Sequence, residues 1–405
     1  MNKHTLAHYG GKKTISKQFP WPVFSSEELT VVKNVVESGE WGASNSPDSY
    51  VAKFEKQFAD YIGVKHALSV VNGSVALRIA LIASGVKPGD EVIVPAMTFI
   101  ATASVVIEAN CIPVFVDIEP GTYNIDPDKI EQAITRKTKA IIPVHFGGHA
   151  CDMDRITEIA AKYSLFVLED SCHGHGGSYK GIKLGSIGNA GCFSFQSSKN
   201  MSSGEGGIIV TDNSQLYEKI FALKNVGRKP GGKWYDHFYT GCNYRMGQFQ
   251  AAILSCQLTR LDGQNILRTE NANYLRSLLL DIEGITSLKV ASYVTEHAYH
   301  IYIMKYDSSK FKNLSKAEFA DLLNSEGVPC FMGYPEPLYK QPVFQDKEFM
   351  CYSIPESVDY KDVYCPETEK ACYEECIWIN QNILLGTKED MELIAGAIKK
   401  IQENI

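Results

Sequence analysis

The stretch that decides the fold is KAIIPVHFGGHACDMDRITEIAAKYSLFVLED, residues 139–170. Its two ends, KAIIPVH (139–145) and SLFVLED (164–170), are short apolar runs typical of buried strands. Between them, MDRITEIAAKY (153–163) has the apolar spacing of a helix. A strand, a helix and a second strand in this order predict two parallel strands joined by a crossover helix.

The same alternation continues toward the N-terminus. DEVIVP (90–95) and CIPVFVDI (111–118) are further predicted strands, and SVALRIALIAS (74–84) is a predicted helix. These units predict an α/β fold whose central, mainly parallel sheet is covered by helices on both faces. Right-handed crossovers would bring the carboxyl ends of the strands to one edge, where α/β proteins usually bind ligands.

The pattern changes after about residue 260. A long helical stretch (253–279) leads away from the sheet, HAYHIYIMKYD (297–307) is typical of a strand, and two amphipathic helices follow at 315–327 and 388–402. Thr387 is placed to cap the last helix. We expect two domains, a large one over 1–260 and a smaller α+β domain over 261–405.

Composition narrows the functional classes. The 405 residues are 44% hydrophobic and carry a net charge of -7, which argues against a nucleic-acid partner. No apolar run reaches the roughly 18 residues of a membrane span, and the first residues lack the apolar core of a secretion signal. The eleven scattered cysteines include no CxxC pair and are expected to be reduced thiols. The expected location is cytoplasmic.

Two charged residues stand where chemistry is possible. Lys199 lies between apolar runs in GCFSFQSSKNMSSGEGGIIVTD (191–212), and burial would lower its pKa toward that of an amine able to form a Schiff base. Asp170 ends a predicted strand just before a glycine-rich turn. The alternatives are a solvated loop lysine and an aspartate that caps its own turn.

Two further segments suit a flat, phosphorylated ligand. Asn72, Gly73 and Ser74 come between a strand-like run and a helix, where free N–H groups and a hydroxyl can bind phosphate. Phe99 follows another strand and could stack on a ring. A simple helix cap and a core phenylalanine are the alternatives.

Taken in order, these segments resemble the DegT/DnrJ-type sugar aminotransferases, which belong to the aspartate-aminotransferase-like (fold-type I) pyridoxal-phosphate (PLP) enzymes. The most specific pieces are PGDEVIVPAMTFIATA (88–103), the run from PVFVDIEP to DMDRI (113–156), FSFQSSKNMSSGEGG (193–207) and GCNYRMGQFQAAIL (241–254). The resemblance extends from about residue 21 to the last helix. It departs from the family in RMGQ, where Gln248 stands in place of the usual Glu.

The resemblance implies a role for each matching residue. Lys199 would carry PLP as a Schiff base and move protons, and Asp170 would pair with the pyridine nitrogen. Asn243 would reach the phosphate bound in a neighbouring subunit, so the enzyme would be a homodimer with shared active sites. The remaining implied cofactor contacts are His173 near the phenolic oxygen, Phe99 on the ring, and Gly73, Ser74 and Ser194 at the phosphate.

The implied reaction moves an amino group from L-glutamate or L-glutamine to a ketone of a sugar or cyclitol. The segments 333–344 and 365–386 are most similar to the branch of inosose aminotransferases and 3-amino-5-hydroxybenzoate synthases. A nucleotide-linked ketosugar is an alternative acceptor. A PLP-dependent sugar dehydratase and a non-catalytic binding protein are alternatives of other kinds. Dehydratase relatives replace the lysine with His, whereas Lys199 is present here.

A cluster of potential metal ligands competes with this interpretation. It mixes imidazole, thiol and carboxylate groups in a spacing that matches no known metal motif, so no metal site is predicted. Its members are His145, His149, Cys151, Asp152, His173 and His175.

Overall fold

The computed structural model describes residues 5–42 and 46–405. Its strands are β1 (His66–Val70), β2 (Glu91–Pro95), β3 (Ile112–Val116), β4 (Thr138–Ile141), β5 (Phe166–Asp170), β6 (Ser178–Tyr179), β7 (Ile182–Lys183), β8 (Ala190–Ser194), β9 (Gly207–Thr211), β10 (Ile285–Ser287), β11 (Val294–Glu296), β12 (Ile301–Tyr306), β13 (Cys330–Phe331) and β14 (Cys376–Asn380).

The helices are α1 (Ser26–Ser38), α2 (Tyr50–Ile62), α3 (Gly73–Ser84), α4 (Ala101–Glu108), α5 (Pro127–Ala133), α6 (Met153–Tyr163), α7 (Ser214–Lys224), α8 (Gln248–Leu279), α9 (Lys316–Ser325), α10 (Pro342–Gln345), α11 (Pro366–Lys370) and α12 (Lys388–Asn404). The predicted N-cap Thr387 is confirmed, because its hydroxyl accepts a hydrogen bond from the Asp390 N–H. None of the described helices is long and apolar enough to cross a membrane.

The central sheet has seven strands in the order β1-β9-β8-β5-β4-β2-β3. The pairs from β8 to β3 are parallel, which confirms the mainly parallel sheet predicted from the sequence. Strand β9 runs antiparallel to both neighbours, because the chain turns back from β8 through residues 195–206 rather than crossing over a helix.

Helices cover both faces of this sheet. The apolar side chains of α3, α4 and α7 pack on one face. Those of α2 and the first turns of α8 pack on the other face, with α6 further along it. The strand residues are therefore almost entirely buried, which explains why they appear in the sequence as continuous apolar runs.

The C-terminal part has its own sheet, β10-β12-β14-β13, and its own apolar core with α9, α12 and the end of α8. The single helix α8 passes through residue 260 without a break, and Leu338 to Cys365 return to pack on the N-terminal core. The division into 1–260 and 261–405 remains a prediction.

Each predicted strand is shorter than its apolar run, and β4 and β12 depart most from the prediction. Strand β4 ends at Ile141, just before Pro143, which has no N–H to donate to a ladder. Strand β12 begins only at Ile301. The preceding residues form a turn in which Tyr299 has a positive φ of 46°. This turn brings His300 to the edge of the main sheet.

Gln248, the departure from the family pattern, opens α8 and is buried. Its side-chain oxygen accepts a hydrogen bond from the N–H of Val51 in the first turn of α2, at 3.2 Å. Its Nε2 finds no partner among the described residues. The side chain thus links the starts of two helices and lies outside the pocket at the sheet edge.

Candidate active site

A pocket of about 580 Å³ opens where the strands of the central sheet end. Four segments from the N-terminal half form one wall, because each follows the carboxyl end of β1, β2, β5 or β8. The structure brings together in this wall Gly73, Ser74, Phe99, Asp170, His173, Ser194 and Lys199. Of the predicted site residues, only Asn243 lies elsewhere.

The start of α3 forms a cradle for an anion. Asn72 caps the helix by accepting a hydrogen bond from Val75 N–H, while the N–H groups of Gly73 and Ser74 have no described acceptor. A Cβ at position 73 would come within 2.6 Å of the Ser194 Cβ, so glycine is required for this close approach. Two free N–H groups, two hydroxyls and a helix N-terminus suit a phosphate.

Asp170 is buried at the end of β5 and points into the pocket. Its oxygens accept hydrogen bonds from the Thr102 hydroxyl at 2.9 Å and from the Cys172 N–H at 3.2 Å. The neighbouring Glu169 faces away, toward the loop before β8, and accepts hydrogen bonds from Gly185, Ile187 and Gly188 N–H and from His145. The two adjacent carboxylates therefore face different surroundings, and of the two only Asp170 lines the pocket.

Lys199 reaches the pocket from the turn after β8. No described residue accepts a hydrogen bond or forms an ion pair with its amine. Burial lowers the pKa of this amine, while Cys172 and Asp170 partly oppose the shift. An amine that is withdrawn from water and lacks an acid partner is available as a nucleophile.

Phe99 and His173 complete the wall. Phe99 lines the pocket and is 57% exposed as a residue, so its ring is available to stack on a planar ligand. His173 is buried, and its Nδ1 accepts a hydrogen bond from Gly147 N–H at 3.3 Å. Burial, with Lys199 nearby, lowers the pKa of His173 well below its ordinary value. The neutral ring therefore carries its proton on Nε2, which can donate to a ligand oxygen.

Asn243 lies on the surface in the segment between α7 and α8. Its side-chain oxygen accepts a 3.4 Å hydrogen bond from Arg245 N–H, and its backbone bridges to Asn225. It does not line the pocket of its own chain.

The second wall of the pocket comes from the C-terminal half of the chain and was not predicted. Its residues lie about 100 to 180 positions after Lys199, and no motif in the sequence marks them. The histidine within the predicted strand 297–307 was the one available indication. The wall consists of His300, Ile301, Phe331, Tyr334, Trp378 and Asn380.

Of the potential metal ligands in the sequence, His173 lines the pocket, and His145 and His175 make internal contacts. The Nε2 of His145 lies 2.9 Å from a carboxylate oxygen of Glu169, and the ring centroids of His175 and Phe193 are 5.5 Å apart. Within residues 5–42 and 46–405, no three His, Cys, Asp or Glu side chains are grouped as metal ligands.

The first wall fits a flat aromatic aldehyde with a phosphate tail. Lys199 can condense with the aldehyde, Asp170 can pair with a ring nitrogen, and the start of α3 can hold the phosphate. On a mainly parallel α/β sheet, this arrangement defines the class of fold-type I PLP enzymes, and PLP is the cofactor.

Comparison with known proteins identifies the family. Residues 22–398 match the DegT/DnrJ/EryC1/StrS aminotransferase family, and the chain belongs to it. A Streptoalloteichus tenebrarius protein, assigned by name as an L-glutamine:3-amino-2,3-dideoxy-scyllo-inosose aminotransferase, is 35% identical over 99% of this chain and 98% of its own. The L-glutamine:scyllo-inosose aminotransferase of Streptomyces griseus is 33% identical over 99% and 98%.

A solved structure agrees in fold. The crystal structure of 3-amino-5-hydroxybenzoic acid synthase superposes with a TM-score of 0.87 at 30% identity, covering 96% of this chain and 100% of that one. The protein is therefore a PLP-dependent aminotransferase.

Proposed function

We propose that this aminotransferase transfers the amino group of L-glutamine, or of L-glutamate, to the ketone of an uncharged cyclitol or sugar. One observation carries the choice of acceptor: Lys199 is the only lysine or arginine among the described residues that line the pocket. The acids Asp170 and Glu205 also line it, so a doubly charged acceptor would be disfavoured. Relatives named for inososes, which are keto-cyclitols, support the same choice.

Three residues of the first wall have defined tasks in this proposal. PLP, when bound, supplies an electron-withdrawing ring that makes the proton on the donor Cα removable. The Nζ of Lys199 takes that proton from the donor and, in the second half of the reaction, returns a proton to the carbon that was the ketone. Asp170 holds the ring nitrogen protonated, and Thr102 keeps the carboxylate oriented.

The C-terminal wall binds the acceptor ring in this proposal. Phe331, Tyr334 and Trp378 present aromatic surface, which suits the C–H faces of a cyclic polyol. His300 and Asn380 add polar groups for its hydroxyls.

A nucleotide-linked ketosugar is the second candidate acceptor. The surface segment after α7 favours it, because it combines Arg228, Lys229 and Lys233 with the strongly exposed rings of Trp234 and Tyr235. Cations suit a diphosphate, and exposed rings suit a base.

The two candidates are separated by supplying the PLP-loaded enzyme with L-glutamine and, in parallel, scyllo-inosose or a nucleoside-diphosphate ketosugar. Mass spectrometry should detect the amino-cyclitol and the keto acid derived from glutamine. Amination of the nucleotide-linked sugar alone would replace the first candidate with the second. Release of ammonia or water without an aminated product would contradict both.

The oligomeric state of the enzyme and its cellular compartment are proposed on separate observations. We infer a homodimer in which Asn243 of each subunit serves the phosphate site of the other, since this side chain is exposed and lies outside its own pocket. All eleven cysteines are free thiols, which supports a reducing compartment such as the cytoplasm.

A further inference from the structure

His300 lies where the two walls of the pocket meet. It precedes β12 and is only 7% exposed, yet it lines the pocket beside Ile301. Its ring packs against that of His173 in a tilted arrangement, with centroids 4.3 Å apart and planes at 32°. His173 belongs to the first wall of the pocket, whereas His300 belongs to the second, C-terminal wall.

The protonation of His300 follows from its neighbour Asn200. The Asn200 Nδ2 lies 2.6 Å from the carbonyl oxygen of Ala298, which can only accept, so the orientation of the amide is determined. The Asn200 Oδ1 then faces the His300 Nδ1 at 3.3 Å. Burial, followed by His173 and Lys199, lowers the pKa of His300 well below its ordinary value. The neutral ring therefore donates from Nδ1 and has its lone pair on Nε2.

That lone pair is available to a ligand. The Nε2 of His300 has no hydrogen-bond partner among the described residues. It is accessible to solvent, whereas both ring nitrogens of His175 are buried. His173 has the opposite arrangement, because its Nδ1 accepts from Gly147 and leaves an Nε2 donor. The two adjacent rings thus offer the pocket one donor and one acceptor.

A buried arginine holds this arrangement in place. Arg268 is fully buried, and its described hydrogen-bond partners are all amide oxygens. Its Nη1 donates to Asn265 at 2.7 Å, and Asn265 Oδ1 lies 3.5 Å from Asn200 Nδ2. It also donates to Gln381, whose N–H bonds the His300 carbonyl. Burying a guanidinium without a carboxylate partner costs free energy. A hydrogen-bond network that contains such a group therefore fixes the positions of its members.

We propose that His300 selects the amino acceptor, with its Nε2 accepting a hydrogen bond from a hydroxyl of the keto-cyclitol or ketosugar. This inference rests on the proposed function. Of the two reactants, the acceptor is the one rich in hydroxyl donors. The carboxylate of the amino donor only accepts hydrogen bonds and would face the lone pair unfavourably.

The test separates the two half-reactions. Stopped-flow absorbance follows the loss of the cofactor band with L-glutamine and its return with scyllo-inosose. His300→Ala and His300→Phe both remove Nε2 and should lower kcat/KM for the return step about tenfold, while the loss step stays within about twofold. His300→Gln, whose amide oxygen can accept at a similar distance, should recover most of the return step.

His66→Phe is the matched control, because His66 bonds Ser214 and lies outside the pocket. Equal losses in both half-reactions, or no loss in either, would overturn the role of His300 alone. The wild-type enzyme could lose its cofactor band with L-glutamine and regain it with none of the polyol ketones supplied. That result would overturn both the proposed function and this inference. The band and the thermal midpoint of each variant show whether it has folded and loaded PLP.

Discussion

Lys224 is buried and Lys199 is half-buried in the pocket, and the two lysines differ in their partners. The Lys224 amine is 2.7 Å from Glu55 and 3.1 Å from the carbonyl oxygen of Ser69, so its charge is compensated. The Lys199 amine has no such acid, and burial lowers its pKa. The reactivity proposed for Lys199 thus rests on the lack of a carboxylate in contact with its amine as much as on burial.

We predict that Lys199→Ala abolishes transamination, with a loss of at least about a thousandfold, because no other group in the pocket can replace the amine. Borohydride reduction of the PLP-loaded enzyme followed by peptide mapping should label Lys199 in the wild type and nothing in the variant. Lys224→Met should keep the label on Lys199. A pyridoxyl group on any other lysine would disprove the assignment.

Asp170→Asn should bind PLP but lose about a hundredfold or more of its turnover. An amide accepts the Thr102 and Cys172 hydrogen bonds less well than a carboxylate and cannot hold a ring nitrogen protonated. Steady-state kinetics and a PLP titration measure the two effects separately. Glu169→Gln is the control. It should lower the thermal midpoint, because Glu169 accepts hydrogen bonds from three backbone N–H groups of a loop, but its effect on kcat should be small. Near-normal turnover in Asp170→Asn would show that Asp170 only caps its turn.

At the scale of elements, α1 is attached to α8 through one carboxylate. Glu28 accepts hydrogen bonds from Ser25 at the start of α1 and from Arg260 and Gln257 on α8. Burial by itself raises the pKa of Glu28, but the hydrogen bonds from Arg260 and Ser25 outweigh it and lower the pKa to about 2. The helix is therefore held most firmly when this group is ionised.

Glu28→Gln should reduce the free energy of unfolding by about 2 kcal/mol at pH 7, measured by urea denaturation. Because the pKa is depressed in the folded state, the advantage of the wild type is fully present above pH 4.5 and declines as the pH falls toward about 2. Glu27→Gln, whose carboxylate is 67% exposed and 3.8 Å from Arg260, should change stability by less than about 0.5 kcal/mol. A constant difference between wild type and Glu28→Gln from pH 7 to pH 3 would exclude an ionised Glu28 as the cause.

At the scale of the whole molecule, the proposed dimer makes a prediction that a monomer does not. If Asn243 serves the partner's phosphate site, Lys199→Ala and Asn243→Ala subunits are each impaired as homodimers. A mixed dimer would contain one site with both residues intact. Co-refolding the two variants should therefore restore a measurable part of wild-type activity.

Sedimentation should show a dimer or larger species at micromolar concentration. Mixing each variant with itself is the control. A fully active monomer, or mixtures no more active than their components, would remove Asn243 from the active site.

The sequence alone predicted the elements that depend on local pattern. The crossover helix over 153–163 and the strand ending at Asp170 were predicted correctly, since short apolar runs and helical spacing are read from neighbouring residues. The gathering of Gly73, Asp170 and Lys199 at one edge followed from the rule that parallel strands end on the same side. The ends of β4 and β12 were not predicted, because a proline and a turn interrupt runs that remain apolar.

What the sequence determined by itself is therefore the mainly parallel sheet, the family and the grouping of Gly73, Asp170 and Lys199 in the first wall of the pocket, which is proposed to hold the cofactor. Only the tertiary structure decided the opposite wall, where His300, Tyr334 and Trp378 come from segments far apart in the chain. It also decided the protonation of His300, through an amide oriented by a carbonyl and anchored to a buried arginine. The physical reason is that strand and helix patterns are local, whereas a hydrogen bond between residues 200 and 300 depends on how two sheets pack together.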